Sequence, residues 1–405
     1  MNRSFPVDRT CPFTLPADYA EMRSEAPAIR VSLPGGDAWL ITRHAEAKAL
    51  LKDTRVSTDP RTPGHPYAKL SADPPPPEVV EAEARFHAGE FVNLDPPEHG
   101  RFRGVLQSAF RRRHIEELRP VIVRLADDLV SAMIERGPQA DLVRDFALPL
   151  PVLVTCAVLG VPEEERDFFA SAVRRAEHPP ADDPLATVTA VFEMRDRVER
   201  IVAAADQAPP DSVIAVAAGS GAFDRDELVG VVTFLLKAGY VTTNAMISLG
   251  VLTLCRHPAQ LASLGADPQR WASAVDELLR FLSVTDWYTF DRVATEDITV
   301  GDDVIRAGDG IFVLGASINH DERVFARAGE FDVQRDARRH LAFGHGVHRC
   351  LGDHLAGAEL EIALRTLFSR LPGLRITATD DELDLRVSGD PFGLVSLPVA
   401  WEHLS

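Results

Sequence analysis

The sequence predicts a mainly α-helical fold carrying small β-sheets, on three observations. Helical periodicity dominates from residue 98 to about 282, strand-like pieces lie on both sides of that body, and no internal repeat is visible. Length would suggest two or three domains. Strand-rich ends bracketing one helical body read instead as a single mixed domain over residues 1–405.

Taken in order, the strings IRVSL and AWLIT flank the turn Pro34-Gly35-Gly36-Asp37, the pattern of a hairpin. An Ala/Lys/Leu helix begins near Arg43. Residues 56–90 read as an irregular, loop-rich insert around the proline run 74–77, of the kind that often forms a functional lid. The helical body breaks at Pro179-Pro180 and Pro209-Pro210. Its most apolar stretch, 146–161, contains Pro149 and Pro151 and is short for a membrane span, so a buried helix is expected. Short strands return around 298–300, 304–305 and 311–314, and a last helix runs from about Gly352 until Pro372-Gly373 ends it.

Composition narrows the function classes. With 45% hydrophobic and 26% charged residues the chain is neither disordered nor fibrous. Its 61 acidic against 43 basic residues, a net charge of −18, argue against a nucleic-acid or anionic-membrane binder. Cys11, Cys156, Cys255 and Cys350 lie far apart, which disfavours a disulfide framework or a cysteine zinc site and fits a reducing cytoplasm. The N-terminus shows no apolar h-region, so a soluble cytoplasmic protein without a signal peptide is expected.

One helix is unusually long. Asp224 and Glu227 form a D-x-x-E start signature, and apolar residues continue to His257-Pro258. Residues 226–256 would span about 46 Å at 1.5 Å per residue. Nearly all-round apolarity predicts burial. Its middle reads Ala238-Gly239-Tyr240-Val241-Thr242-Thr243. Gly239 there is explained either by close packing against a neighbour or by a distortion that opens a polar notch over a ligand.

The densest signal is Phe343-Gly344-His345-Gly346-Val347-His348-Arg349-Cys350-Leu351-Gly352. Its glycines indicate a tight loop, and Cys350 sits where the loop becomes the last helix, whose N-terminal dipole favours thiolate. Taken alone, such a cysteine is structural, a nucleophile in need of a His/Asn partner, or a ligand to a soft metal such as haem iron.

The string F-G-x-G-x-H-x-C-x-G resembles the haem-binding loop of the cytochrome P-450 family. The resemblance implies a triangular helical fold with haem b buried between the long helix and the Cys loop, and Cys350 as axial thiolate. Glu277-Leu278-Leu279-Arg280 is similar to the family's E-x-x-R, and Arg335 to the third member of that buried structural triad. Asp95-Pro96-Pro97-Glu98-His99 with Arg103 resembles the helix that binds one haem propionate. Arg292 and His348 stand where the other propionate contacts are expected, and Phe343, Gly352 and Ala238 where residues touch the haem. Gly357 departs from the usual arginine of this region.

By the same resemblance, the substrate pocket draws on Phe86, Phe91, Val92 and Asn93, on Phe234, Lys237 and Val241, on Val284, Thr285, Asp286 and Trp287, and on Phe392 and Leu394. The third group, with Tyr288 and Phe290, has an aromatic and acidic character that points to a small aromatic or polycyclic natural product, such as an indole or a cyclic peptide. Equally, these aromatics are explained as core packing. Lys237 either snorkels to an edge or places its ammonium near the pocket to hold a substrate carbonyl or carboxylate.

The family's reaction uses dioxygen, two electrons and two protons. Without Rossmann or flavin glycine signatures the chain has no fused reductase, so the resemblance implies a monomer served by a ferredoxin and ferredoxin reductase. Residues 101–113 carry five Arg and no acid, and with Arg338, Arg339 and Arg349 they form a candidate docking face behind Cys350. A solvated helix end plus propionate contacts explains the same arginines. The important departure is Val241, where the family places an acid, although Thr242 keeps the catalytic alcohol. Three outcomes follow: monooxygenation with protons from water or substrate, oxidative C–C or C–N coupling of aromatic rings without oxygen insertion, or peroxide-driven oxidation. A haem-thiolate sensor without turnover and a non-haem hydrolase using Cys350 are the remaining readings.

Overall fold

A computed structural model describes residues 3–11, 13–70, 89–179, 183, 185–386 and 391–402. Phe86 and the proline run 74–77 lie outside the described residues. Helices α1 (Ala17–Glu25) and α2 (His44–Leu50) flank the N-terminal hairpin. Helices α3 (Glu98–Leu106) and α4 (Arg112–Arg136) lead to a π-helical turn at Val143–Ala147 and the buried α5 (Pro149–Leu159). Next come α6 (Glu163–Glu177), α7 (Ala186–Ala203) and α8 (Val213–Ser220), with Pro209-Pro210 in the break between the last two and Pro180 outside the described residues. The long α9 (Arg225–Arg256) is followed by α10 (Pro258–Ala266), α11 (Trp271–Leu282), the short α12 (Gly315–Asn319) and α13 (Asp353–Arg370).

The capping signature of α9 is real: Glu227 N–H donates to Asp224 Oδ1 at 2.8 Å, and Asp224 N–H to Glu227 Oε2 at 3.1 Å. The helix packs against α5, α7, α11 and α13, forming the axis of the main core. Its length and apolarity would let it cross a membrane, yet 72% of its most apolar window is buried, as in a core helix. It runs unbroken through Gly239, where a Cβ would lie 2.2 Å from Thr155 Oγ1 on α5. Close packing is therefore the reason for this glycine, and the helix carries no distortion there.

The strand-like ends join one another. Ala28–Leu33 and Gly36–Ile41 pair antiparallel with Leu33 opposite Gly36, so only Pro34-Gly35 remain as the loop, tighter than the four-residue turn expected. Gly36–Ile41 then pairs parallel with Gly310–Val313, which pairs antiparallel with Asp291–Ala294. Val56–Ser57 adds an edge strand, so the insert is not wholly irregular. Chain ends almost three hundred residues apart thus share one six-stranded sheet.

Gly239→Ala should destabilise the protein by about 1–3 kcal/mol, because the new methyl meets Thr155. Thr155 Oγ1 is buried and has no hydrogen-bond partner, so adding Thr155→Ala sacrifices no bond. The urea midpoint of the double variant should recover most of the loss. A double variant no more stable than Gly239→Ala would show that this contact is not the constraint.

Candidate active site

Behind the Cys loop lies a buried ionic triad. Glu277 and Arg280, one helical turn apart on α11, have no exposed side-chain surface. Arg280 donates Nε–H to Glu277 Oε2 at 2.7 Å and Nη2–H to Oε1 at 2.8 Å. Arg335 Nε–H reaches Oε1 at 3.1 Å, and so does the Asp332 backbone N–H at 3.0 Å. Arg280 also donates to the carbonyls of Asn319 and Ala328, tying α11 to the segment after α12. Asn319 continues the chain of bonds: its amide donates to Ser283 Oγ, and its Oδ1 accepts from Leu341 N–H at 2.8 Å, two residues before the Cys loop. A surface ion pair is excluded.

The loop itself is held by close backbone approach. Gly346 has φ +76°, and a Cβ there would sit 2.2 Å from the Leu51 carbonyl oxygen. Cys350 N–H donates to the Phe343 carbonyl at 2.8 Å, closing the loop just before α13. Cys350 keeps accessible surface, but surrounding protein pushes its thiol up to about 11. The Gly352 N–H, Arg103 and Arg349 pull the other way and do not overcome that burial. The helix N-terminus alone therefore does not supply a thiolate, contrary to expectation; a coordinated metal removes the proton outright. No histidine or asparagine side chain among the described residues bonds Cys350, so the nucleophile arrangement is not formed.

Beside the cysteine gathers a cluster of arginines and histidines. The His99 and His348 rings lie 4.2 Å apart between centroids, and His99 Nε2 and His348 Nδ1 are buried without hydrogen-bond partners among the described residues. Burial lowers the pKa of both Arg103 and Arg292. His348 is pushed down to about 3, first by burial, then by Arg292, His99 and Arg103. Two arginines and unpartnered ring nitrogens converge here, and the two carboxylates of a haem would give them acceptors. His65 belongs here too: its Nε2 is buried without a hydrogen-bond partner, 4.0 Å from Asp291 Oδ2, and burial and then Arg292 push it down to about 4. Nothing in the sequence singled His65 out, since one histidine in a Gly/Pro-rich turn carries no pattern.

Across the core, α9 opens in its middle. Lys237 and Ala238 are exposed, while Phe234, Val241 and Thr242 are half-buried in a helix otherwise largely enclosed. Phe91 stands edge-on to Phe234 at 5.7 Å and also packs on His99 and Phe102, and Val92 is partly exposed beside it. Asn93 donates its amide to Glu90 at 3.3 Å. Tyr240 points elsewhere, donating to Glu177 Oε1 on α6 at 3.1 Å. Phe392 N–H returns to the Val284 carbonyl at 2.8 Å, and Phe392, Leu394 and Val284 are buried there, with Thr285 half-buried.

Two groups of residues are not where they were expected. Asp286 accepts from Tyr19 O–H at 2.7 Å and from Ala316 N–H at 3.1 Å, because a buried carboxylate needs donors, and these are supplied by α1 and α12. Trp287 packs edge-on against Phe5 and Phe312 in the core of the N-terminal sheet, and Phe290 lies against Gly344 and Gly315. Asp286, Trp287 and Phe290 are thus core packing, and the Tyr288 side chain lies outside what the structure describes. The basic face also shrinks. Arg101 pairs with Glu227, Arg113 with Glu117 and Arg338 with Asp336, while Arg339 bonds the Val324 carbonyl. Arg349 pairs with Asp353 at 2.8 Å, so Arg111 and Arg112 remain around a cleft of about 270 Å³ that reaches Cys350.

Comparisons with known proteins agree with this geometry. Residues 272–382 match the family described as cytochrome P-450. Pentalenic acid synthase of Streptomyces avermitilis is 43% identical over 98% of this chain and 97% of its own length. The 20-oxo-5-O-mycaminosyltylactone 23-monooxygenase of Streptomyces fradiae is 40% identical over 98% and 92%. Among solved structures, cytochrome P-450 MoxA of Nonomuraea recticatena superposes with a TM-score of 0.92 at 36% identity, covering 99% of both chains. The mycinamicin VIII C21 methyl hydroxylase of Micromonospora griseorubida, bound to mycinamicin VIII, gives 0.85 at 36% identity over 98% and 100%. Such relatives are oxidising catalysts, which sets aside the sensor and hydrolase readings. With relatives this similar along almost its whole length, the chain belongs to the cytochrome P-450 family, monooxygenases that bind haem through a cysteine thiolate.

Proposed function

We propose that this chain oxidises a polycyclic or similarly bulky natural product by haem-thiolate monooxygenation, with Cys350 as the axial ligand. The observation that carries this reading is the convergence of Arg103, Arg292 and the unpartnered ring nitrogens of His99 and His348 beside a cysteine loop held by the Glu277 triad. These four residues would hold the two propionates, with His65 alongside, while Phe343, Gly352 and Ala238 pack against the ring. Haem bound there supplies a redox iron that activates dioxygen. Thr242 would hold a proton-bearing water by its hydroxyl, while Val241 excludes water from its side of the helix and passes no proton. The substrate class is supported by relatives named for pentalenic acid, a mycaminosyltylactone and mycinamicin VIII. Asp286, Trp287 and Phe290 lend no support to an aromatic substrate, being committed to the core.

Electrons would come from a ferredoxin and its reductase, docking on the face around Arg111 and Arg112 of a cytoplasmic, monomeric, single-unit protein. A second reading, oxidative coupling without oxygen insertion, is favoured by Val241, which cannot titrate.

The reduced, carbon-monoxide-treated protein should show the long-wavelength Soret band of thiolate ligation, and Cys350→Ala should lose it. Arg292→Leu should speed haem transfer to an acceptor globin by about tenfold or more, the loss of one charge-assisted bond. Unchanged transfer would remove Arg292 from the cofactor site. Arg112→Glu should cut ferredoxin-supported turnover about tenfold and leave the carbon-monoxide spectrum intact; equal turnover would move docking elsewhere. With labelled dioxygen, product carrying the label establishes monooxygenation, and a linked product without it establishes coupling.

A further inference from the structure

We infer that Lys237 is the anchor for an anionic group of the substrate, so that the molecule oxidised by this chain carries a carboxylate. The inference rests on the haem-oxidation reading above and adds the substrate's charge to it. Lys237 sits at the middle of α9, in a helix whose neighbouring side chains Leu235, Leu236 and Tyr240 are buried. Its exposed side is the one it shares with Ala238. At helical spacing its neighbours on that face are Phe234 and Val241, both apolar and both half-buried. Among the described residues Lys237 has neither an ion pair nor a side-chain hydrogen bond.

The other charges around this part of the molecule are committed. Arg9 stacks on Phe392 and donates to the Leu282 and Ser283 carbonyls. Arg386 pairs with Glu177, which also accepts from Tyr240. Asp286 is taken by Tyr19 and Ala316. The wall of α9 therefore presents one positive charge with no carboxylate among the described residues to balance it. A neutral substrate filling this space strips water from the ammonium and returns nothing, which disfavours it. A carboxylate restores the lost interaction, and the unpaired charge becomes a device for rejecting neutral analogues. Anchoring one end also sets which carbon lies over the reactive centre.

The test uses ω-(imidazol-1-yl)alkanoic acids of graded chain length and the matching alkanamides. Imidazole ligates ferric haem iron and shifts the Soret band, so affinity is read by titration of the holoprotein without turnover. At one or more chain lengths the acid should bind about tenfold more tightly than its amide. Lys237→Met should bring the pair to near parity, and Lys237→Arg should retain the preference. Equal binding of acid and amide at every length in the unaltered protein, or a preference that survives in Lys237→Met, overturns the assignment. Purified protein that takes up no haem, read as the absence of any Soret band, overturns the haem reading itself, which separates the two failures.

Discussion

The Glu277 carboxylate is fully buried, and much of the site depends on how that charge is satisfied. Two guanidiniums and a backbone N–H converge on it, from α11 and from residues 332–335. Removing one member of such a group leaves the others charged and buried, at a cost of about 3–5 kcal/mol. Because Arg280 spends its other hydrogens on carbonyls after α12, the ionic group also fixes the path of the chain toward Leu341 and the Cys loop. The position of Cys350 is thus inherited from a charge that never meets the ligand.

The cofactor site inverts this economy. Burial lowers the pKa of Arg103 and Arg292, ring nitrogens of His99 and His348 have no hydrogen-bond partner among the described residues, and the Cys350 thiol is held above its usual range by burial. Every one of these penalties is relieved by a single ligand that carries two carboxylates and a thiolate-seeking iron. Binding energy and folding energy are then linked, as in other proteins whose metal site is complete only when loaded. The site is not preformed in charge, only in shape.

On the opposite wall, α9 supplies little polarity. Tyr240 and the capping residues are engaged elsewhere, Val241 is inert, and Thr242 and Lys237 are the polar groups left on the open stretch. Gly239 serves packing against Thr155, so even the helix-breaking residue in this stretch belongs to the scaffold. Proton supply and substrate orientation consequently rest on very few side chains, which makes each of them informative to change.

The local signals in the sequence are short-range ones, and they were legible. Glu277 and Arg280 share a helix face by spacing alone, Asp224 and Glu227 cap α9, and three glycines beside Cys350 demand a tight loop. Contacts between distant segments had no such signature. Asp286 and Trp287 looked like a pocket wall because nothing in their own stretch reveals Tyr19, Phe5 or Phe312 as partners. The run of arginines looked like one basic face until Glu227, Glu117, Asp336 and Asp353 neutralised half of it. His65 joined the donor cluster only through the sheet that carries Arg292. By itself, then, the sequence determined the helical body, the cysteine loop and the ionic pair, since helix periodicity and glycine backbone freedom act within a few residues. Tertiary structure alone decided which charges are neutralised and which side chains face the ligand, because burial and pairing depend on neighbours hundreds of residues away.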